Sequence, residues 1–156
     1  MKTLEKLDKI DKQILKMMQE NGRITNIDLA NKTGISAPPC LRRVKALEDA
    51  GLITSYHAEV DAKLLGYGVN IFAFVEMNKH TEEVLSEFEH KMKSWPVVME
   101  YYMLAGDSDY VLKIIAKDWE DYQNFLTKEL LVQPNVSHVK SVLSIRGYKN
   151  HTGVPV

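Results

Sequence analysis

Four cations stand between Lys32 and Leu47, at Lys32, Arg42, Arg43 and Lys45, and no acidic residue interrupts them. Side chains of this kind neutralise phosphate oxygens, and an arginine fork also matches the acceptor pair on a guanine edge. A second chemistry is available at Gly106-Asp107-Ser108-Asp109-Tyr110. A free amino acid needs anions or carbonyls for its ammonium and exposed N–H groups for its carboxylate. Asp107 and Asp109 supply charge, Gly106 lets the backbone approach closely, and Tyr101, Tyr102 and Tyr110 could wall a side-chain pocket. Spacing alone leaves a plain hairpin loop of turn formers open as the other reading of these five residues.

The basic run needs a helix to present it. Thr25 followed by Asp28 forms a capping box at the start of a short helix carrying Ile27, Leu29 and Ala30. Gly34 supplies the turn, Ser36 can cap a second helix, and Pro38 and Pro39 fall in its first turn, where a missing N–H costs least. In that second helix Cys40, Val44 and Leu47 recur at i, i+4 and i+7 and define an apolar face. At 100° per residue Pro38, Arg42 and Lys45 point the other way, with Arg43 on a flank, and Gly51 closes the helix. An earlier helix is expected from Asp8 to Glu20, with Asp8 and Asp11 as a cap pair and Ile10, Ile14, Met17 and Met18 at near-helical spacing. The pattern is a helix-turn-helix whose second helix fits a major groove about 12 Å wide, Ser36 and Pro38 standing at the end that meets base edges. A helical hairpin with a merely solvated basic face is the blander alternative.

The aspartate loop needs a sheet. Ile53 to Val60 has the composition of a strand that would serve as wing or linker, and Leu64 to Gly68 marks a boundary. Strands are expected at Val69–Met77, Val97–Leu104, Tyr110–Ala116 and Val136–Ile145, with helices at Thr81–Ser94 and from Asp118 to a break at Pro134. That order is βαββαβ, the ferredoxin-like split unit, so the fold class is α+β: a winged helix-turn-helix followed by a ferredoxin-like domain. Two helices cover one face of such a sheet. Phe72 and Phe74 therefore need another partner, and a second copy of the chain related by a two-fold axis is the expected one.

Composition narrows the class. The chain of 156 residues carries 20 Lys+Arg against 21 Asp+Glu, a formal charge of −1. Residues 1–62 hold 10 against 9 and residues 63–156 hold 10 against 12, so non-specific attraction to phosphate is modest and symmetric pairing must multiply the contacts. The hydrophobic share is 45 %, and no run approaches the ~18 apolar residues of a membrane helix. The opening MKTLEKLDKIDKQ lacks the apolar stretch of a secretory signal, and the cytoplasm is the expected compartment. Cys40 on an apolar face reads as a small buried hydrophobe, and His57, His80, His90, His138 and His151 lack the close partners of a metal site. No convergent nucleophile, base or metal set appears, so no catalytic residue, metal or cofactor is assigned.

These residues together resemble the Lrp/AsnC, or feast/famine, transcriptional regulators over nearly the whole chain. The resemblance rests on D-x-x-D-x-x-I-L at Asp8–Leu15, the Gly22-Arg23 pair, S-x-x-x-C-L-x-R-V-x-x-L-E-x-x-G-x-I from Ser36 to Ile53, and G-D-x-D-Y at Gly106–Tyr110, in order. It implies a bacterial or archaeal regulator that binds double-stranded DNA, dimerises through its sheets, assembles further to tetramers or octamers and takes an amino acid at subunit interfaces. By position it puts Ser36, Arg42 and Arg43 in the recognition helix, Gly106, Asp107 and Asp109 in the effector loop, and Ser141 where many members have Thr in the last strand. The full expected sets are Lys32, Ser36, Pro38, Arg42, Arg43 and Lys45 for DNA, and Tyr101, Gly106, Asp107, Asp109 and Ser141 for the effector. Residues 1–60 are expected to form the DNA-binding domain, 61–68 a linker, 69–150 the effector and oligomerisation domain and 151–156 a tail. The rivals are an effector-independent architectural DNA-binding protein of the same fold and, in another class, an enzyme on a ferredoxin-like domain.

Overall fold

A computed structural model describes residues 7–147 and 153–156, so the first six residues and the stretch 148–152, where the expected effector domain gives way to the tail, lie outside the described residues. The described chain forms two compact units, residues 7–59 with 153–156, and residues 60–147.

The first unit is three helices around one small core. Helix α1 spans Lys9–Glu20, and its N-cap Asp8 accepts the Asp11 N–H, as the cap pair requires. Helix α2 spans Asn26–Thr33 behind Thr25, whose hydroxyl oxygen accepts the Asp28 N–H, and ends at Gly34 with φ 71°. Helix α3 spans Ala37–Asp49, and Gly51 follows its cap Ala50 in the left-handed region, where glycine avoids the Cβ penalty. Ile14, Leu29, Cys40 and Leu47 are buried together, Leu52 and Ile53 pack against them, and each large side chain so buried contributes about 1.5–3 kcal/mol. Ile27, expected on the apolar side of α2, is instead 65 % exposed, because Leu29 and Ala30 alone face the core.

Ile53–Val60 does not form the expected strand. The segment has no ladder partner among the described residues and its exposed stretch from Thr54 onward carries no sheet hydrogen bonds, so strand-like composition there yields only irregular chain.

The second unit is a four-stranded antiparallel sheet in the order β2-β3-β1-β4, with β1 Val69–Met77, β2 Val98–Met103, β3 Tyr110–Ala116 and β4 Val136–Leu143. Helices α4 (Glu82–Ser94) and α5 (Trp119–Phe125, continued by one π-helical turn over Leu126–Leu130) lie on a single face. Alternation along β1 and β3 sends Ile71, Ala73, Val75, Tyr110, Leu112 and Ile114 into that core, where they meet Phe88, Met92, Trp95, Tyr122 and Leu130. The opposite face carries Phe72, 37 % exposed, beside Phe74, Val111, Ile115 and Val142. No helix of this unit covers it. Among the described residues no helix is long and apolar enough to cross a membrane.

Candidate functional site

The DNA-reading face is built from the turn outward. Asn26, the first residue of α2, donates its side-chain amide to the Ala37 carbonyl at 2.9 Å, fixing the start of α3 against the helix before it. With Cys40, Val44 and Leu47 buried, Pro38, Arg42 and Lys45 stand exposed on the far side of α3, and Lys32 is exposed at the end of α2. Ser36 occupies the N-cap position but makes no side-chain capping bond, which leaves an exposed hydroxyl beside the orphan N–H groups of the helix start. Leu41 lies on the same face at 49 % exposure. Sequence reasoning passed over it as one more apolar residue, although its 100° offset from Cys40 was the available signal. An exposed leucine there can meet a thymine methyl.

Arg43 is placed differently from its neighbours. Its Nη1 lies 2.7 Å from Asp8 Oδ2 and 2.7 Å from Asp11 Oδ1. Asp11 is nearly buried, so the guanidinium serves first to neutralise it and to hold the start of α1 against α3. The Asp11 and Asp8 carboxylates raise the Arg43 pKa further above its ordinary value, and the Asp8 carboxyl is held below its own by the Asp11 N–H and then by Arg43. The sequence expectation that Arg43 is as dispensable to folding as Arg42 is therefore corrected.

The aspartate loop closes the β2–β3 hairpin. Met103 pairs with Tyr110, the Leu104 N–H donates to the Asp109 carbonyl at 2.8 Å, and the Asp109 N–H donates to the Val75 carbonyl at 2.9 Å. The Asp109 side chain is fully engaged as well: Oδ2 accepts the Met77 N–H at 2.6 Å and Oδ1 lies 2.7 Å from His80 Nε2. Asp109 thus pins the loop to the end of β1, and His80 is a member of this loop cluster that sequence reasoning missed. Asp107 and Gly106 are exposed at the tip. Burial, followed by the nearby Glu89 carboxylate, pushes the Tyr110 hydroxyl up to about 12.

The remaining expected effector residues do not converge in one chain. Tyr101 pairs with Leu112, Leu112 lies level with Ala73, and Ala73 pairs with Ser141, so one rung runs across all four strands. Three strand spacings of about 4.8 Å put Tyr101 and Ser141 roughly 14 Å apart at opposite edges of the sheet. Tyr101 is half-buried against the core two rungs below the loop, whereas Ser141 is hydrogen-bonded to the buried Tyr122 hydroxyl under α5. Burial raises the Tyr122 pKa, and the Ser141 hydrogen bond opposes that shift. Among the described residues no group of three His, Cys, Asp or Glu side chains is arranged to hold a metal ion.

Residues 7–54 match a family of winged helix-turn-helix DNA-binding domains, and residues 70–154 match the Lrp/AsnC ligand-binding domain. The chain belongs to the Lrp/AsnC family. It is 42 % identical over 150 residues to the leucine-responsive regulatory protein of Rhizobium meliloti, covering 96 % of each chain. It is 35 % identical to the Bkd operon transcriptional regulator of Pseudomonas aeruginosa, over 98 % of this chain and all of that one. Among solved structures, a transcriptional regulator from Neisseria meningitidis crystallised as its L-Met complex superposes with a TM-score of 0.92 at 34 % identity, 96 % of each chain being covered. These matches make this Lrp/AsnC chain a DNA-binding transcriptional regulator with an amino-acid-binding domain.

Proposed function

We propose that this regulator reads DNA through the exposed face of α3 and responds to an amino acid held at the tip of the β2–β3 loop, acting as a homo-oligomer in the cytoplasm. The observation that carries the reading is the division of labour on α3: Pro38, Leu41, Arg42 and Lys45 face outward while Cys40, Val44 and Leu47 form the core. In a major groove Ser36 and Pro38 meet the first bases, Arg42 has the reach for a guanine edge, and Lys32 and Lys45 meet phosphates. Arg43 contributes through α1, with its remaining donors turned to the backbone of the duplex.

At the loop, Asp107 is the carboxylate available to an ammonium, since Asp109 is occupied by Met77 and His80. Gly106 and the neighbouring backbone N–H groups suit the ligand carboxylate. Tyr101 lies on the strand that enters this loop, and Ser141 can join it only from another subunit, which fits an effector held between copies. The open sheet face with Phe72, Phe74, Val111, Ile115 and Val142 is the surface on which two copies meet, and tetramers or octamers extend from that dimer. A relative crystallised with L-Met and others named leucine-responsive support an aliphatic amino acid as the effector class. Effector binding between subunits then shifts the relative placement of the reading helices, and DNA affinity follows by linkage.

A thermal-shift screen of the twenty amino acids tests the effector half. A ligand at 100 times its Kd stabilises the native state by about 2.7 kcal/mol. Stabilisation by a small subset, lost in Asp107→Asn, is the expected result. Uniform silence across all twenty contradicts it.

A further inference from the structure

Residues 153–156 do not trail into solvent. They belong to the DNA-reading unit, ten positions beyond the end of β4 at Leu143. The Gln19 side-chain amide addresses both backbone groups of Val154: Oε1 accepts the Val154 N–H at 2.6 Å and Nε2 donates to the Val154 carbonyl at 3.2 Å. This is the donor–acceptor pair that a neighbouring strand would offer, supplied by one glutamine on α1. It seats the tail by its backbone, so register does not depend on the side chain at 154. Val154, Pro155 and Val156 then line a groove of about 450 Å³ with Leu7, Leu15, Met18, Leu52 and Tyr56. Pro155 suits such a seat because it presents no N–H that would need a partner.

We propose that α1 and residues 52–57 form a docking surface whose occupant is the chain's own 153–156 segment, and that this strap passes a change in the effector domain to the reading helix. Connectivity makes the strap the shorter of two tethers. Val69, where the sheet begins, follows Ile53 by sixteen positions, and Ile53 is the last residue packed on the helical core. Gly153 follows Leu143 by ten. A displacement at β4, the strand that carries Ser141, therefore pulls on α1 before the longer connection tightens. Helix α1 is in turn bonded to α3 through Asp8, Asp11 and Arg43, so the route ends on the helix that carries Arg42. The coupling role rests on the proposed amino-acid response, whereas the docking itself does not.

Two variants of the full chain test it, Gln19→Ala and deletion of residues 153–156. Hydrogen exchange is expected to quicken along α1 and residues 52–57 in both variants, and unchanged exchange there overturns the docking. The second readout is the ratio of DNA affinities with and without the amino acid identified by the thermal-shift screen. A wild-type ratio in the range of about 5- to 150-fold is expected to fall toward one in both variants, while calorimetry shows effector affinity unchanged. A wild-type response that both variants retain in full refutes the strap alone. A wild-type chain whose DNA affinity ignores every amino acid refutes the functional reading instead, and hydrogen exchange then still decides whether the tail docks.

Discussion

Arg42 and Arg43 are adjacent in sequence and opposite in consequence. In Arg43→Ala, Asp11 keeps its place in the helix with 5 % of its side chain exposed, but loses the cation 2.7 Å away. A hydrogen bond to a charged group contributes about 1.5–3 kcal/mol, and the loss falls toward the upper part of that range when the acceptor stays buried. The exposed Asp8 arm is screened by water and adds little. A loss of about 2–3 kcal/mol compares with a total of only ~3–9 kcal/mol for some 60 residues at 0.05–0.15 kcal/mol each. The melting transition of the helical unit should accordingly fall by roughly 10–20 °C. Arg42→Ala, on an exposed face, should change stability by no more than about 0.5 kcal/mol while weakening DNA binding by about 1–3 kcal/mol if the base contact is made. The assay pairs thermal unfolding by circular dichroism with fluorescence anisotropy on a duplex selected by the wild-type protein. Equal melting temperatures for the two alanine variants would refute the reasoning, since the Asp8–Asp11–Arg43 cluster would then hold nothing.

The two loop aspartates should also separate. Asp107→Asn is expected to lower effector affinity roughly 10- to 150-fold in calorimetric titration with stability unchanged, whereas Asp109→Ala should destabilise the sheet domain by about 1–3 kcal/mol through the lost Met77 and His80 contacts. A fragment of residues 60–156 should be at least dimeric by light scattering and should become monomeric on Phe72→Asp, while a soluble monomeric wild-type fragment rules out the sheet-face interface. Tyr110 gives a pH test with a definite sign. Its hydroxyl is raised from about 10 in the unfolded chain to about 12 in the fold, so the protonated form is favoured by folding and the associated stability is complete below pH ~10 and lost as pH rises toward 12. Denaturant titrations from neutral pH to about pH 11 should show a shallower alkaline decline in Tyr110→Phe, and identical slopes would remove Tyr110 from that account.

Much of this was legible in the chain because the signals are local. The caps at Asp8 and Thr25 lie three residues from their acceptors, Gly34 and Gly51 mark turns by their own backbone freedom, and the alternation of Ile71, Ala73 and Val75 needs nothing beyond period two. What escaped depends on partners far away in sequence. Arg43 meets acids 32 and 35 positions earlier, and Asp109 accepts the N–H of a residue 32 positions earlier. The Gln19–Val154 pair spans 135 positions. Ile53–Val60 shows the converse case, where strand-like composition found no strand to pair with. The distance between Tyr101 and Ser141 is set by strand order, which the linear order βαββαβ does not display residue by residue.

The central claim is that DNA binding through α3 answers to an amino acid at the β2–β3 loop. It is tested most directly by titrating a selected duplex with the full-length protein, with and without each amino acid that stabilises it, in wild type and in Asp107→Asn. At least one amino acid should change wild-type DNA affinity by about 5- to 150-fold and leave that of Asp107→Asn nearly unmoved. DNA affinity that is the same with and without every such amino acid, or a response that Asp107→Asn keeps in full, would contradict the account.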